Sequence, residues 1–469
     1  MADEAQIIIK KFTGIDQSTD AMGLPNGASP DAQNMVCDGG VLSTAKGFEK
    51  YPLPQSPGAI RTLMKYYRRN ASGSKDTFLL CATDTAVYLH NNIYGWCSIC
   101  QGRRSGYYDF INYQWAGEDV IIFSNGEDPV LTWRGYENAE VLAGEPPSFY
   151  SLCLHYDRVW GACIKAYPDR VCYSKAFDPA DWSSPEEAGY IEIPTWNGGS
   201  VLALKTLYND VVVFKDYDVY RIYGTYPGSY EVTRVHGITG PIARRSIVQA
   251  GDIVYFLGAE GLCGYDGVRA VPLGDRKLAR FFSHINREYT KYACATVCGD
   301  KIYLALPEGD TATFNNAVVE YDTRDGTYMI RRGFRVDTFL EYDGKLLFAN
   351  DTRFIYEYGV GNTYDGAAIE CWWKTPVFDL AAKNITKTST LIYAAASGAG
   401  QAGGTGSILL SADFDGKLRQ RQFDLPQQTR NMRMPIRSRG RRLQFTFSNV
   451  EGSSFTLNTP EIHLELDED

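Results

Sequence analysis

The sequence predicts an all-β protein: a single β-propeller of about seven blades, preceded by an extended N-terminal arm and followed by a C-terminal β-sandwich. Three observations carry that expectation. Aromatic residues make up 13% of the 469 residues, with 32 Tyr and 22 Phe, and broad rings suit the pleated surface of a strand. No long stretch keeps the 3.6-residue apolar period of a helix. A unit of two strands headed by an Asp recurs seven times.

Residues 1–59 form the arm, rich in Gly, Pro, Asn and Asp, with Ile7-Ile8-Ile9 as its main apolar run. A hairpin is expected where Met35-Val36-Cys37 and Val41-Leu42-Ser43 flank Asp38-Gly39-Gly40.

Residues 60–366 form the propeller. The units open at Asp76, Asp119, Asp157, Asp210, Asp252, Asp300 and Asp343, and each is followed by a second strand ending in or near an aromatic residue, such as Val219-Tyr-Arg-Ile-Tyr223 or Phe354-Ile-Tyr-Glu-Tyr358. Spacings of 38 to 53 residues with several strands per unit fit propeller blades and not helical solenoids. The leading Asp residues are expected at hairpin turns, where the side chain caps backbone N–H groups or tolerates unusual φ. The last unit is short of strands, and a ring with an open end exposes an edge that invites aggregation. The hairpin at 35–43 is the expected donor.

Residues 367–469 read as a small sandwich, with strands near 369–374, 391–394, 407–411, 442–447 and 462–466 and a flexible Gly-rich loop at 397–406.

Composition narrows the function. Eleven Cys at scattered positions form no disulfide framework, and most lie in apolar strand-like runs. The acidic start Met1-Ala2-Asp3-Glu4 does not suit a secretory signal, and no apolar run is long enough to span a membrane, so no membrane insertion and synthesis in the cytoplasm are expected. A net charge of −9 argues against general nucleic-acid binding. One segment departs from it: eight Arg lie between Arg419 and Arg442 against Asp424 alone, while the tail carries Glu461, Glu465, Asp467, Glu468 and Asp469. Such a division suits contacts between copies, with Arg437, Arg439, Arg441 and Arg442 as candidate contact residues; a solvated basic face explains the same residues.

No catalytic, cofactor-binding or metal constellation is expected. Cys97-Ser-Ile-Cys100 has half of a zinc spacing, but no second pair or His follows it. His90, His155, His236, His284 and His463 are far apart in sequence. Ser411-Ala-Asp413-Phe-Asp415-Gly416 approaches the Asp-box turn of sialidase-type propellers, but its spacing is off by one and Lys417-Leu418 replaces the Thr-Trp end. A carbohydrate-binding or glycosidase propeller is the alternative from another functional class.

The stretch Leu24-Pro-Asn-Gly-Ala-Ser29-Pro30-Asp31-Ala32-Gln33-Asn34-Met35, followed by Asp38-Gly-Gly40 and Lys46-Gly47-Phe48, resembles the opening of tailed-bacteriophage virion proteins of the tail hub, nozzle or DNA-stabilisation type. The motif residues are Ser29, Pro30, Asp31, Asn34, Gly47 and Phe48. The resemblance implies a homo-oligomeric ring in the virion tail, below the portal and adaptor and above fibre or needle proteins. Such a ring extends the DNA conduit and helps to retain or release the genome. A subunit around passing DNA should not bind it specifically, and a net negative chain suits that role.

Overall fold

The computed structural model describes residues 3–467, apart from 71, 194–198, 236–239, 274–275, 381–384 and 402. Its regular structure is almost wholly strand, and Ala279–Ser283 is the only α-helix among the described residues. Six four-stranded antiparallel sheets follow one another from Ile60 to Arg332, and a seventh begins at Thr338. Each sheet is a blade. The blades open with Ile60–Arg69, Asp109–Trp115, Ser151–His155, Val201–Leu207, Val248–Ala250, Cys294–Cys298 and Thr338–Tyr342. These opening strands run between neighbouring blades, and the seventh blade packs on the first, so the ring closes.

The Asp-headed units are the second and third strands of every blade, as in Asp210–Lys215 with Val219–Tyr223. The leading Asp does less than expected. Asp157 and Asp343 adopt positive φ, at 54° and 51°, and Asp119 accepts the Arg69 N–H at 2.8 Å. Before Asp252 and Asp300 the left-handed position falls on Gly251 and Gly299, where no Cβ resists it.

Apolar clusters lie between neighbouring blades. Met64, Tyr66 and Leu80 of the first meet Ile121, Phe123 and Trp133 of the second, and Leu340, Leu347 and Ala349 of the seventh meet Leu63 and Cys81 of the first. Tyrosines join blades twice over, the ring entering the cluster and the hydroxyl donating to a carbonyl of the next blade. Tyr66 reaches Asp119 O at 2.7 Å, Tyr113 reaches Asp157 O at 2.9 Å, and Tyr342 reaches Thr77 O at 3.1 Å. A buried hydroxyl needs such a partner, which explains why this fold uses Tyr so heavily.

The seventh blade has three strands of its own, and its fourth comes from the arm. Phe48–Lys50 runs antiparallel to Ile355–Tyr358, with Glu49 opposite Glu357. The closing segment is therefore not the hairpin. Met35–Asp38 and Val41–Thr44 do form a hairpin, but it joins the C-terminal sheet through Leu42 opposite Leu457. The arm is also not loose: Ile7, Ile9, Phe12, Ile15, Met35 and Leu42 are buried in one core shared with blades five to seven and the C-terminal strands.

The C-terminal region is two sheets face to face. Strands Thr386–Ala399 and Ser454–Asp467 form the spine of a seven-stranded sheet, and Gly406–Phe414 and Leu443–Asn449 lie at the centre of a five-stranded one. The Gly-rich loop read from sequence at 397–406 is shorter: Thr386–Ala399 runs into it, Gly406 opens the next strand, and Ala399 bridges Thr405. Near Asp413 the near-match to a sialidase turn is a hairpin tip, with Asp415 at φ 51° and Asp413 Oδ1 accepting the Gly416 N–H at 2.8 Å.

A buried ion pair marks the border of blades six and seven. Arg331 and Glu320 are 4% exposed and meet in a two-pronged pair, Nε to Oε1 and Nη2 to Oε2, both 2.8 Å. Tyr358 of blade seven donates to Glu320 Oε1 at 2.6 Å. Burial pushes the Glu320 carboxyl up, but the Arg331 guanidinium outweighs it and holds the group below its ordinary 4.5. Its contribution is thus complete above that value and is lost as pH falls through the lowered one. Glu320→Ala leaves a buried guanidinium unpaired and should cost about 3–5 kcal/mol, read as a shift in the denaturant midpoint. The acid limb of a stability-versus-pH curve should flatten in the same variant. Deleting residues 1–50 removes the closing strand and should yield insoluble protein, measured as the soluble fraction after expression; a soluble folded variant would show that closure does not need the arm.

Candidate assembly surfaces

The arm motif is built into a joint. Ser29 is fully buried, and its Oγ lies 2.7 Å from both Asp31 O and Lys374 O. Beside it Ala32–Gln33 pairs with Trp372–Lys374, which attaches the arm to the five-stranded sheet. The Pro30 carbonyl accepts from Gln17 Nε2 at 3.2 Å. Asp31 faces Lys374 at 3.6 Å, and burial raises its carboxyl despite Lys374 and Arg332.

Asn34, in left-handed backbone at φ 53°, makes the most of its side chain. Nδ2 donates to Arg332 O at 3.2 Å and Glu370 O at 2.8 Å, while Oδ1 accepts from Arg332 N at 2.9 Å and Tyr364 Oη at 3.0 Å. One amide thereby links blade six to the start of the C-terminal region. A Cβ on Gly47 would collide with the Thr363 carbonyl, so only Gly lets the chain pass there. Phe48 then lodges among Phe348 and Tyr364, each at a centroid distance of 4.9 Å, with Phe334 and Tyr356 at 5.2 Å. Of the six motif residues, Ser29, Asn34, Gly47 and Phe48 thus have packing or bonding roles that explain them without a ligand.

The arginine segment contributes three edge strands and the turns between and after them. Lys417–Leu425 borders the five-stranded sheet, while Arg430–Met434 and Ser438–Gly440 border the seven-stranded one along Thr386–Ala399. Arg421 Nη1 donates to Pro435 O at 3.2 Å and holds the two borders side by side. Arg437, Arg439, Arg441 and Arg442 are all exposed along this border, together with Arg419, Arg421, Arg430 and Arg433. Among the described residues no carboxylate lies within 4.0 Å of the guanidinium of Arg419, Arg421, Arg430, Arg433, Arg437 or Arg442. The Asp415 carboxylate accepts the backbone N–H groups of Arg441 at 2.7 Å and Arg442 at 3.1 Å, which fixes their course.

The opposite border of the seven-stranded sheet is acidic. Asp3–Ile8 pairs with Ser454–Asp467, placing Glu4 opposite Glu465 and Ile8 opposite Glu461. Gln6 Nε2 donates to Glu461 Oε2 at 2.9 Å. The tail's Glu468 and Asp469 lie outside the described residues, as does His236. Cys97 and Cys100 sit on the outer strand of blade one, His155 is buried beside Trp160, and no group of three or more His, Cys, Asp or Glu among the described residues is placed to hold a metal.

No family model matches the chain, and no curated protein matches its sequence. Several solved structures align with about two thirds of the chain. They include the computationally designed Ika8 protein, at TM-score 0.41 and 12% identity over 67% of this chain and 100% of that one. The WD40 domain of Neurospora crassa Pan2 aligns at TM-score 0.39 and 9% identity, over 67% and 95%, and BBS1N in complex with ARL6DN at 0.43 and 10%, over 67% and 98%. Likeness at this level carries no functional argument.

Asn34→Ala should leave the Arg332 N–H and the Tyr364 hydroxyl without their buried acceptor. We expect a loss of at least about 2 kcal/mol, since each orphaned buried group costs about 1–3 kcal/mol, measured by denaturant unfolding at neutral pH.

Proposed function

We propose that this chain is a structural, ring-forming subunit of a tailed-bacteriophage virion, placed in the tail where its ring extends the DNA conduit below the portal and adaptor. The observation that carries the reading is the opposite charge on the two borders of one sheet. An exposed edge strand offers unpaired N–H and C=O groups to another chain. Arginines along one border repel a second copy of that border and attract the carboxylates of the other. A contact between unlike patches is heterologous, and heterologous contacts repeated around an axis close into rings. Arginine suits the role, because its planar fork pairs with carboxylates even when water is removed.

The arm motif supports the same reading. Its residues join arm, propeller and C-terminal region into one body, as a subunit under load requires. The net charge of −9 suits a wall past which DNA must slide without being held. The other tail proteins are neighbours above and below, and the virion is the final location.

The test combines imaging with charge removal. Electron microscopy of the purified chain should show rings. Replacing Arg430, Arg433, Arg437 and Arg442 together by Gln should shift the protein to monomer in sedimentation while the unfolding midpoint stays within about 1 kcal/mol of the parent, because exposed charges contribute little to folding. Glu4→Gln with Glu465→Gln should weaken the ring in the same direction. Rings that survive both sets of changes would place the contact elsewhere.

A further inference from the structure

The axis of the propeller is not an open bore. The short turn Arg244–Ser246, at the entrance to blade five, sends two consecutive arginines across it in different directions. Arg245 Nη2 donates to Asp337 O of the seventh blade's entrance at 2.9 Å and to Arg61 O of the first at 3.2 Å. Its guanidinium stands 5.0 Å from the Tyr107 ring. Arg244 lies 4.4 Å from the Tyr150 ring, at the entrance to blade three, with one Nη 3.7 Å from Cys163 Sγ.

The other arginines of this mouth are neutralised. Arg61 forms a two-pronged pair with Asp84, at 2.9 and 3.0 Å. Arg335 forms one with Asp337, at 2.7 and 3.0 Å, and also reaches Asp351 at 3.2 Å. Neither Arg244 nor Arg245 has a carboxylate within 4.0 Å among the described residues. Two half-buried cations over tyrosine rings therefore lack a paired carboxylate in a chain of net charge −9, although Asp109 lines the cavity beside them. Each guanidinium lies over a tyrosine ring, and the N–H groups not given to Arg61 O, Asp337 O and Cys163 Sγ remain for an oxyanion.

Space adjoins them. A cavity of about 380 Å³ lies over Arg245 between blades seven, one and six. A second of about 240 Å³ shares Tyr107 and Arg245 and continues down the axis past Arg244. The first is at the lower end of ligand-pocket volumes, roughly 300–1,000 Å³. Its walls include Tyr292 and Phe314, which are 37% and 40% exposed and also face Lys291 at 5.3 Å and the Arg335 guanidinium at 5.0 Å.

We propose that the propeller mouth binds a small molecule of monosaccharide size carrying one oxyanion, a carboxylate or a phosphate. Arg244 and Arg245 hold the anion, and Tyr292 and Phe314 pack against the ring. This inference does not depend on assembly and would stand if the ring did not form.

The experiment is titration calorimetry of the full chain with glucuronate, glucose 6-phosphate, glucose and inorganic phosphate. Saturable binding of glucuronate is expected if the anion is a carboxylate, and of glucose 6-phosphate if it is a phosphate, with glucose at least about tenfold weaker because it lacks the charge-assisted bonds. Arg244→Gln should weaken the bound anion about tenfold, and its thermal midpoint reports the lost contact between the entrance to blade five and Tyr150 and Cys163 of blade three. Arg245→Gln should weaken it as much, and its midpoint reports the lost tie between blades one and seven. The proposal is overturned if neither anionic sugar saturates, if glucose or inorganic phosphate binds as tightly as they do, or if Arg244→Gln binds as the parent does.

Discussion

A ring of blades holds only if its last sheet is completed, and here the completing strand comes from the far end of the chain. Phe48–Lys50 supplies it, and much of the architecture follows from that pairing. With Phe48 fixed among four aromatic rings, the preceding residues are committed to the seam between blade six and the C-terminal sheets. Asn34 and Ser29 act there. The long-range closure also removes an edge that would otherwise be free to pair with another molecule.

That seam explains the uneven distribution of the core. Blades one to five pack through separate clusters, one for each neighbouring pair, whereas blades five to seven, the arm and the C-terminal strands share a single one. The Arg331–Glu320 pair sits within this shared region beside Tyr358, which bonds Glu320 and meets Phe334. Buried ion pairs are weak sources of stability, but removing one partner is costly. Their value here lies in register: a two-pronged pair with a third bond from blade seven fits only one placement of blade six against it.

Much of this was legible in the sequence, and the parts that were not share a cause. The second strand of each blade is largely buried on both faces, so it stands out as an apolar run such as Asp210–Lys215. Some outer strands are exposed and carry no such signal: both residues of Glu140–Val141 and four of the five in Glu231–Val235 are exposed. The arginine strands were hidden for the same reason. Six consecutive exposed residues in Lys417–Leu425 erase the period of two by which a half-buried strand is recognised. The hairpin was placed correctly but given the wrong partner, because strand pairing over hundreds of residues leaves no local trace. Arg244 and Arg245 were invisible for a related reason. Their meeting with Tyr150, Tyr107 and Asp337 exists only once seven blades surround an axis.

Arginine does two kinds of work in this molecule, and burial separates them. Where the guanidinium is enclosed, as in Arg331, it is paired, since an isolated buried charge could not be tolerated. Where it is exposed, as along Arg430–Met434, water solvates it and no partner is needed in the monomer. Arg244 and Arg245 fall between these limits. Each is half-buried and stacked on a tyrosine, so part of its hydration is gone, yet no carboxylate replaces it. A cation in that position gains more from an incoming anion than an exposed one does, because less water must be displaced and the surrounding dielectric is lower. The same gradation separates the two surfaces by their response to salt. Screening acts fully on the exposed borders of the C-terminal sheets and much less on a pair enclosed at the propeller mouth, so contact between copies should be the more salt-sensitive of the two.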